Sequence, residues 1–335
     1  MDRRDLAAVA ACVTAQVVLG VSVPLTRGIV DYPVMTGQAM RYALAAVALG
    51  LLARAGFGGP PAWRGWPQPR DLLALAAVAA TGLVGFNLCM VTAVRHADPA
   101  VVGTIVGAAP LGLALVGPLM RRQRPSGRIL IAAVMIVAGT GLVHGFGQAD
   151  VIGTLAALGT LAGEVAFSAF AALALPRLGA VRVSAYSCAL AVPMLVVGAA
   201  AMGEVPRMPT AVEAATFGYL AVLLTVVAFV AWFSGLNRLG VARAGLFVGL
   251  APVAALVTAS IQDGRWPVPA QALGVLVVAV ALTFGVGQRT PRRRPRRRAA
   301  GVATGRPRPS WPASRRTCPR RLTGRRPSTD DVSAR

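Results

Sequence analysis

Two ionisable residues stand inside long apolar runs. Glu164 falls near the middle of the run Val151 to Leu173, in Ala162-Gly163-Glu164-Val165-Ala166, with no basic residue one turn away. Arg41 falls about two turns inside the run Val34 to Ala53. An ionisable group at mid-bilayer costs about 2.5–3.5 kcal/mol on insertion scales, so it faces a bundle interior or a water-filled cavity. A carboxyl there can exchange a proton in step with the movement of a bound solute. The plainer alternative is a neutral carboxyl that hydrogen-bonds a neighbouring helix for packing. A guanidinium keeps its proton and must find carbonyls, a carboxylate, water or an anionic group. It can also snorkel to the nearer interface or close a structural ion pair. Gln16, Gln38, Asn87, Ser168, Tyr186, Ser187 and Asn237 add polar groups to the runs or their ends. Such amides and hydroxyls ordinarily tie helices together at about 0.6–2 kcal/mol each. Asn87 and Tyr186 are the secondary candidates for lining a pocket.

A second set of residues is repeated rather than charged. Val106-Gly107-Ala108-Ala109-Pro110 is echoed 142 residues later as Val248-Gly249-Leu250-Ala251-Pro252. At the same offset Ala100 meets Ala242 and Gly103 meets Gly245. Proline removes a helix hydrogen bond and can kink a helix, so Pro24, Pro110, Pro193 and Pro252 are candidate kinks. Gly107, Pro110, Gly249 and Pro252, occurring in pairs, are candidate gating hinges. The alternative is that Gly and Pro are simply common in membrane helices.

The elements that must hold these residues are of membrane length. Mean hydropathy is +0.64, and 56% of residues are apolar against 14% charged. That is far from a soluble domain. About 20 apolar residues span a bilayer core of about 30 Å. Ten such runs are present: Leu6 to Leu25, Val34 to Ala53, Leu72 to Thr92, Pro99 to Leu119, Ile129 to Gly147, Val151 to Leu173, Val183 to Met202, Ala211 to Ser234, Val241 to Ile261, and Val268 to Gly287. They are continuously apolar rather than alternating, which excludes a β-barrel.

A unit with an odd number of spans, once duplicated, inserts its copies in opposite orientations. The sequence therefore predicts an all-α membrane protein of ten transmembrane helices in two inverted five-helix repeats, residues 1–147 and 148–287. In such repeats the binding site lies between the halves near the bilayer midplane. If Arg41 and Glu164 share one cavity there, a zwitterion such as an amino acid suits both.

All 34 basic residues are Arg, and net charge is +22. Counting alternate connections, one side collects Arg3, Arg4, Arg54, Arg64, Arg70, Arg121, Arg122, Arg124, Arg128, Arg177, Arg182, Arg238 and Arg243. The other side holds Arg27, Arg95, Arg207 and Arg265. The positive-inside rule places the first side, with both termini, in the cytoplasm of a cell-membrane protein.

From Gln288 the composition changes to an Arg/Pro-rich tail, residues 288–335, holding 16 Arg and two Asp. Such a segment cannot bury enough apolar surface to fold. Its clustered cations suit the anionic inner leaflet. Nucleic acid is the weaker alternative partner, and a solvated, topology-reinforcing tail is the plainest reading. Cys12, Cys89 and Cys188 lie in spans and Cys318 in the tail, so no disulfide is expected. Val9-Ala10-Ala11-Cys12 looks like a lipoprotein cleavage box, but the apolar run before it is too short for a signal core and continues beyond it.

Several stretches resemble the drug/metabolite transporter superfamily, EamA type. Leu19-Gly20-Val21-Ser22-Val23-Pro24-Leu25 resembles its first span, and Ala39-Met40-Arg41-Tyr42-Ala43-Leu44 the Arg-bearing start of its second. Ala109-Pro110-Leu111 and Ala251-Pro252-Val253 resemble the Pro positions of the fourth and ninth spans. Gly235-Leu236-Asn237-Arg238-Leu239-Gly240-Val241-Ala242-Arg243-Ala244 resembles the link between the eighth and ninth. The resemblance implies a secondary transporter, commonly an exporter of amino acids or other small metabolites. The chain departs from the family where a Glu often follows the fourth and ninth spans. Here those places read Met120-Arg121-Arg122 and Asp263.

Other classes fare worse. His96 and His144 are the two histidines, both near span ends, and no Gly-x-Ser-x-Gly or His-Glu-x-x-His occurs, which argues against a membrane-embedded enzyme. No phosphate-binding loop is present, so the chain does not hydrolyse ATP to drive transport. No metal or cofactor is expected, and the partners expected are a small-molecule substrate and membrane lipids. A passive channel or a non-transporting scaffold remains the alternative, although no selectivity ring is evident. Oligomeric state is left open.

Overall fold

A computed structural model describes residues 3–29, 31–57, 67–145 and 147–286. The tail expected at 288–335 lies outside the described residues. In the first half run α1 (Arg3–Leu25), α2 (Val34–Arg54), α3 (Pro69–Val78), α4 (Phe86–His96), α5 (Pro99–Val106), α6 (Ala109–Met120) and α7 (Gly127–His144). The second half holds α8 (Val151–Ala201), α9 (Ala211–Tyr219), α10 (Ala228–Leu239), α11 (Val241–Leu246), α12 (Leu250–Asp263) and α13 (Pro269–Val286). Among the described residues nine continuous helical stretches are long and apolar enough to cross a membrane. The chain is a multi-pass, all-α membrane protein.

Helix ends are set by local chemistry. Asp150 caps α8, its Oδ1 accepting from the Gly153 N–H at 2.6 Å. Thr210 and Glu213 form a capping box on α9, and Gln68 and Asp71 form one on α3, where Pro69 opens the first turn. The start of α2 is capped from far along the chain. The Glu204 carboxylate accepts from the Met35 and Thr36 N–H groups, each at 2.9 Å.

The duplication is visible as shared irregularity. A π-helical segment, Ala79–Gly85, joins α3 to α4, and another, Leu220–Val227, joins α9 to α10. The fourth helix of each half is broken at matching places. Gly107 and Ala108 separate α5 from α6, and the 3₁₀ turn Phe247–Gly249 separates α11 from α12. Pro110 and Pro252 thus stand in the first turn of the helix that follows each break, where a missing N–H is least costly. Rather than kinking continuous helices, they restart interrupted ones.

Packing repeats the same operation. α1 lies against α12, and α8 against α6, so the first helix of each half meets the fourth of the other. α7 lies against α13, and α6 against α11. Small residues make these approaches possible, as they must where lipid removes the hydrophobic drive for association. A Cβ on Gly20 would stand 2.6 Å from Ala254 Cβ, and one on Gly112 would stand 2.6 Å from Val165 Cγ2.

α8 runs for 51 residues, far beyond one bilayer crossing. Gly179, with φ 76° and ψ 166°, interrupts it, a backbone that only glycine adopts without strain. The spacing of the apolar runs predicts a link of several residues here. Instead Ala174, Leu175 and Leu178 are buried and keep the helix running to the turn, so one glycine suffices. At the start of α8, His96 Nδ1 lies 2.9 Å from Asp150 Oδ2. Near its middle, Arg177 donates to Asp71 Oδ2 at 2.8 Å, at the opposite end of the α3–α4 stretch. Past its last residue, Met202–Glu204 share a polar hollow with Asp31–Val34 and Arg95. The helix therefore leaves one end of the bundle, turns at Gly179 and returns.

Candidate functional site

A cavity of about 190 Å³ opens between the halves. α1 contributes Ala15, Gln16 and Leu19, and α2 contributes Arg41 and Tyr42. The first π segment and the start of α4 supply Gly82, Leu83, Phe86 and Asn87. From the second half come Glu164 and Phe167 on α8, Leu224 on the second π segment, and Ala228, Phe229 and Trp232 on α10. Both π segments thus face the cavity. A π turn widens the helix and is common at functional sites.

Arg41, Asn87 and Glu164, singled out from the sequence, meet at this one cavity. Arg41 is 9% exposed, and its guanidinium donates to the Tyr42 hydroxyl at 2.8 Å and sits 4.5 Å from the centre of that ring. Its Nε is buried with no hydrogen-bond partner. Glu164 is half-buried and, among the described residues, makes no hydrogen bond or ion pair. The two charges share a cavity without closing on each other. Asn87 donates to the Leu83 carbonyl and neighbours the Tyr42 hydroxyl.

α8 can bring Glu164 this close because Gly163 precedes it. A Cβ on Gly163 would stand 2.8 Å from the Thr81 carbonyl oxygen. Phe167, Phe229 and Phe233 pack at tilted angles with ring centres 5.1–5.9 Å apart, and Phe167 and Phe229 form an apolar wall of the cavity. Trp232 is anchored by its N–H donating to Ser168 Oγ at 3.2 Å.

Tyr186 is not part of this cavity; it is half-buried against the hydrophobic core on the returning arm of α8. Gly107, Pro110, Gly249 and Pro252 also lie off the cavity, at the breaks of the two fourth helices. A Cβ on Gly107 would stand 2.9 Å from Thr140 Oγ1, and one on Gly249 would meet Ile136, so both breaks are pressed against α7. From the sequence alone Gln16 reads as a packing group, and nothing singles out Tyr42 or the aromatic wall. The signal for Gln16 was present, an amide in an apolar run, but it is the same signal a packing amide gives. Among the described residues no group of three or more His, Cys, Asp or Glu converges on a metal site.

Two structurally repeated halves enclosing a charged, aromatic-walled cavity define a membrane transporter. The chain belongs to the EamA-like transporter family, whose model matches it twice, over residues 6–144 and 151–286. It is similar to the uncharacterized transporter YetK of Bacillus subtilis (strain 168), 23% identical over 271 residues that cover 77% of this chain and 80% of the relative. It is also similar to the uncharacterized transporter YdeK of the same organism, 26% identical over 226 residues, or 65% of this chain and 78% of the relative. A solved structure described only as "Crystal structure of protein" shares the fold. Its TM-score is 0.71 at 21% identity, covering 83% of this chain and 95% of that one.

Proposed function

We propose that the chain is a secondary active transporter that exports amino acids or related small metabolites by alternating access, coupled to protons through Glu164. The observation that carries this is the unpaired meeting of Arg41 and Glu164 in a single cavity between the halves. A buried guanidinium with an unused N–H suits a carboxylate on the cargo. A carboxyl held in the same cavity can hand over a proton as the site changes sides. The breaks at Gly107 and Phe247–Gly249 supply hinges related by the repeat.

The reading takes α8 as two crossings joined at Gly179, which gives ten spans in a 5+5 inverted arrangement, with both termini on the Arg-rich, cytoplasmic side of the cell membrane. Flux of a pooled, labelled metabolite set into proteoliposomes, with and without a pH gradient, tests it. Accumulation of one species against its concentration, lost when the gradient is collapsed, is the expected result. Downhill flux that ignores the gradient and does not saturate would identify a channel instead, and no flux from folded protein would identify a scaffold.

A further inference from the structure

Gln16 is 4% exposed on α1, lines the cavity, and its Oε1 has no hydrogen-bond partner. Gln38 Oε1, Thr104 Oγ1 and Ser187 Oγ are also buried without a partner, but none of them lines this cavity, and other packing groups of the bundle are satisfied. Thr81 donates to Ala77 O at 2.7 Å, Thr160 to Ala156 O at 3.0 Å, and Ser168 accepts from Trp232 at 3.2 Å. A buried amide oxygen left unpaired is costly and is ordinarily satisfied. Arg41, which lines the same cavity, carries the complementary group, a buried and unpaired Nε–H.

We propose that Gln16 is a cargo-binding residue that reads an ammonium group, while Arg41 holds the carboxylate of the same molecule. This rests on the reading of the cavity as the cargo site. A molecule satisfying both walls needs a hydrogen-bond donor and an anionic acceptor within one small head group, as an α-amino acid has. Its side chain then lies against Phe86, Phe167 and Phe229. With the ammonium bound by the neutral Gln16, Glu164 is left free to carry the proton. Selectivity for amino acids over the corresponding deaminated acids therefore resides on α1, in the half of the chain opposite to Glu164.

The test uses the full-length protein in lipid nanodiscs, with the change in intrinsic tryptophan fluorescence, to which Trp232 at the cavity contributes, as reporter of binding. The probes are L-leucine and 4-methylpentanoate, which differ by the amino group and do not absorb where tryptophan does. The wild type is expected to bind leucine about tenfold or more tightly than 4-methylpentanoate. Gln16→Met should bring that ratio close to one by weakening leucine alone. Gln16→Glu, which keeps an acceptor at the same place, should preserve it. A wild-type ratio in Gln16→Met, or an equal loss of both ligands, overturns the role of Gln16 while leaving the cavity as the cargo site. Should Gln16→Met fail to fold, a ratio near one in folded Gln16→Glu overturns it equally. If the wild type binds neither probe, the reading of the cavity itself fails, and the role of Gln16 with it.

Discussion

Glu164 stands on α8 at the place Leu19 holds on α1. The two are 145 residues apart, the offset between the starts of the two family matches, and both face the same cavity. The scaffold is thus duplicated and the charge is not. On the two π segments, whose starts are 141 residues apart, Leu83 and Leu224 correspond without any polar group, whereas Asn87 and Ala228 at the same offset differ as Glu164 and Leu19 do. Both copies are needed to enclose the cavity. The chemistry needs each polar group once.

Arg41→Gln should raise the KM for cargo about tenfold or more, with a smaller change in maximal rate. A hydrogen bond to a buried charge is worth about 1.5–3 kcal/mol, and Arg41 lines the cavity with its Nε unpaired. Initial rates in proteoliposomes over a range of cargo concentrations check this. An unchanged KM would assign Arg41 to its contact with Tyr42 alone.

Asp71→Ala should lower stability by about 2–4 kcal/mol. The side chain is 4% exposed, accepts from Arg177 at 2.8 Å and closes the capping box at the start of α3. Removing it leaves Arg177, 18% exposed, without this carboxylate at the turn of α8. A fall in melting temperature of the detergent-solubilised protein, with transport of the surviving fraction retained, is the expected outcome.

Gly107→Ala and Gly249→Ala should slow turnover with little effect on affinity. Each added Cβ presses on α7, against Thr140 at 2.9 Å in the first case and Ile136 in the second. Neither glycine lines the cavity. A fall in maximal rate at constant KM marks a hinge; a fall in folded yield with normal turnover marks simple crowding.

The apolar runs were legible because span length is imposed by the bilayer and needs no tertiary information, although the runs expected on either side of Gly179 form one continuous helical stretch. The paired breaks at Gly107 and Gly249 were also legible, through the repeated Val-Gly-x-Ala-Pro pattern. The π segments were not, since Ala79–Gly85 and Leu220–Val227 differ little in composition from the apolar helices that flank them. Nor was the turn at Gly179, where apolar residues continue to the last helical position. The meeting of Arg41 with Glu164 depends on how α2 packs against α8, which no local pattern encodes. For the same reason Tyr186, chemically as suitable as Asn87, lies off the cavity.

Acid should weaken the strap between α4 and α8. The Gly153 N–H, then His96, hold the Asp150 carboxyl below its ordinary value of 3.8. A carboxyl lowered on folding adds stability that is present above its ordinary value and is lost as pH falls through the lowered one. Asp150→Asn keeps a capping group but removes the charge. The wild type should melt above this variant at pH 7, and the gap should close toward pH 3.

In the proposed mechanism Glu164 carries the coupling proton beside a cargo held by other groups. The most direct measurement is Glu164→Gln in proteoliposomes, comparing exchange of labelled for unlabelled cargo with accumulation driven by a pH gradient. Exchange is expected to survive, because Arg41 and the aromatic wall still hold the cargo, while gradient-driven accumulation disappears. Accumulation at the wild-type level in Glu164→Gln would contradict this mechanism.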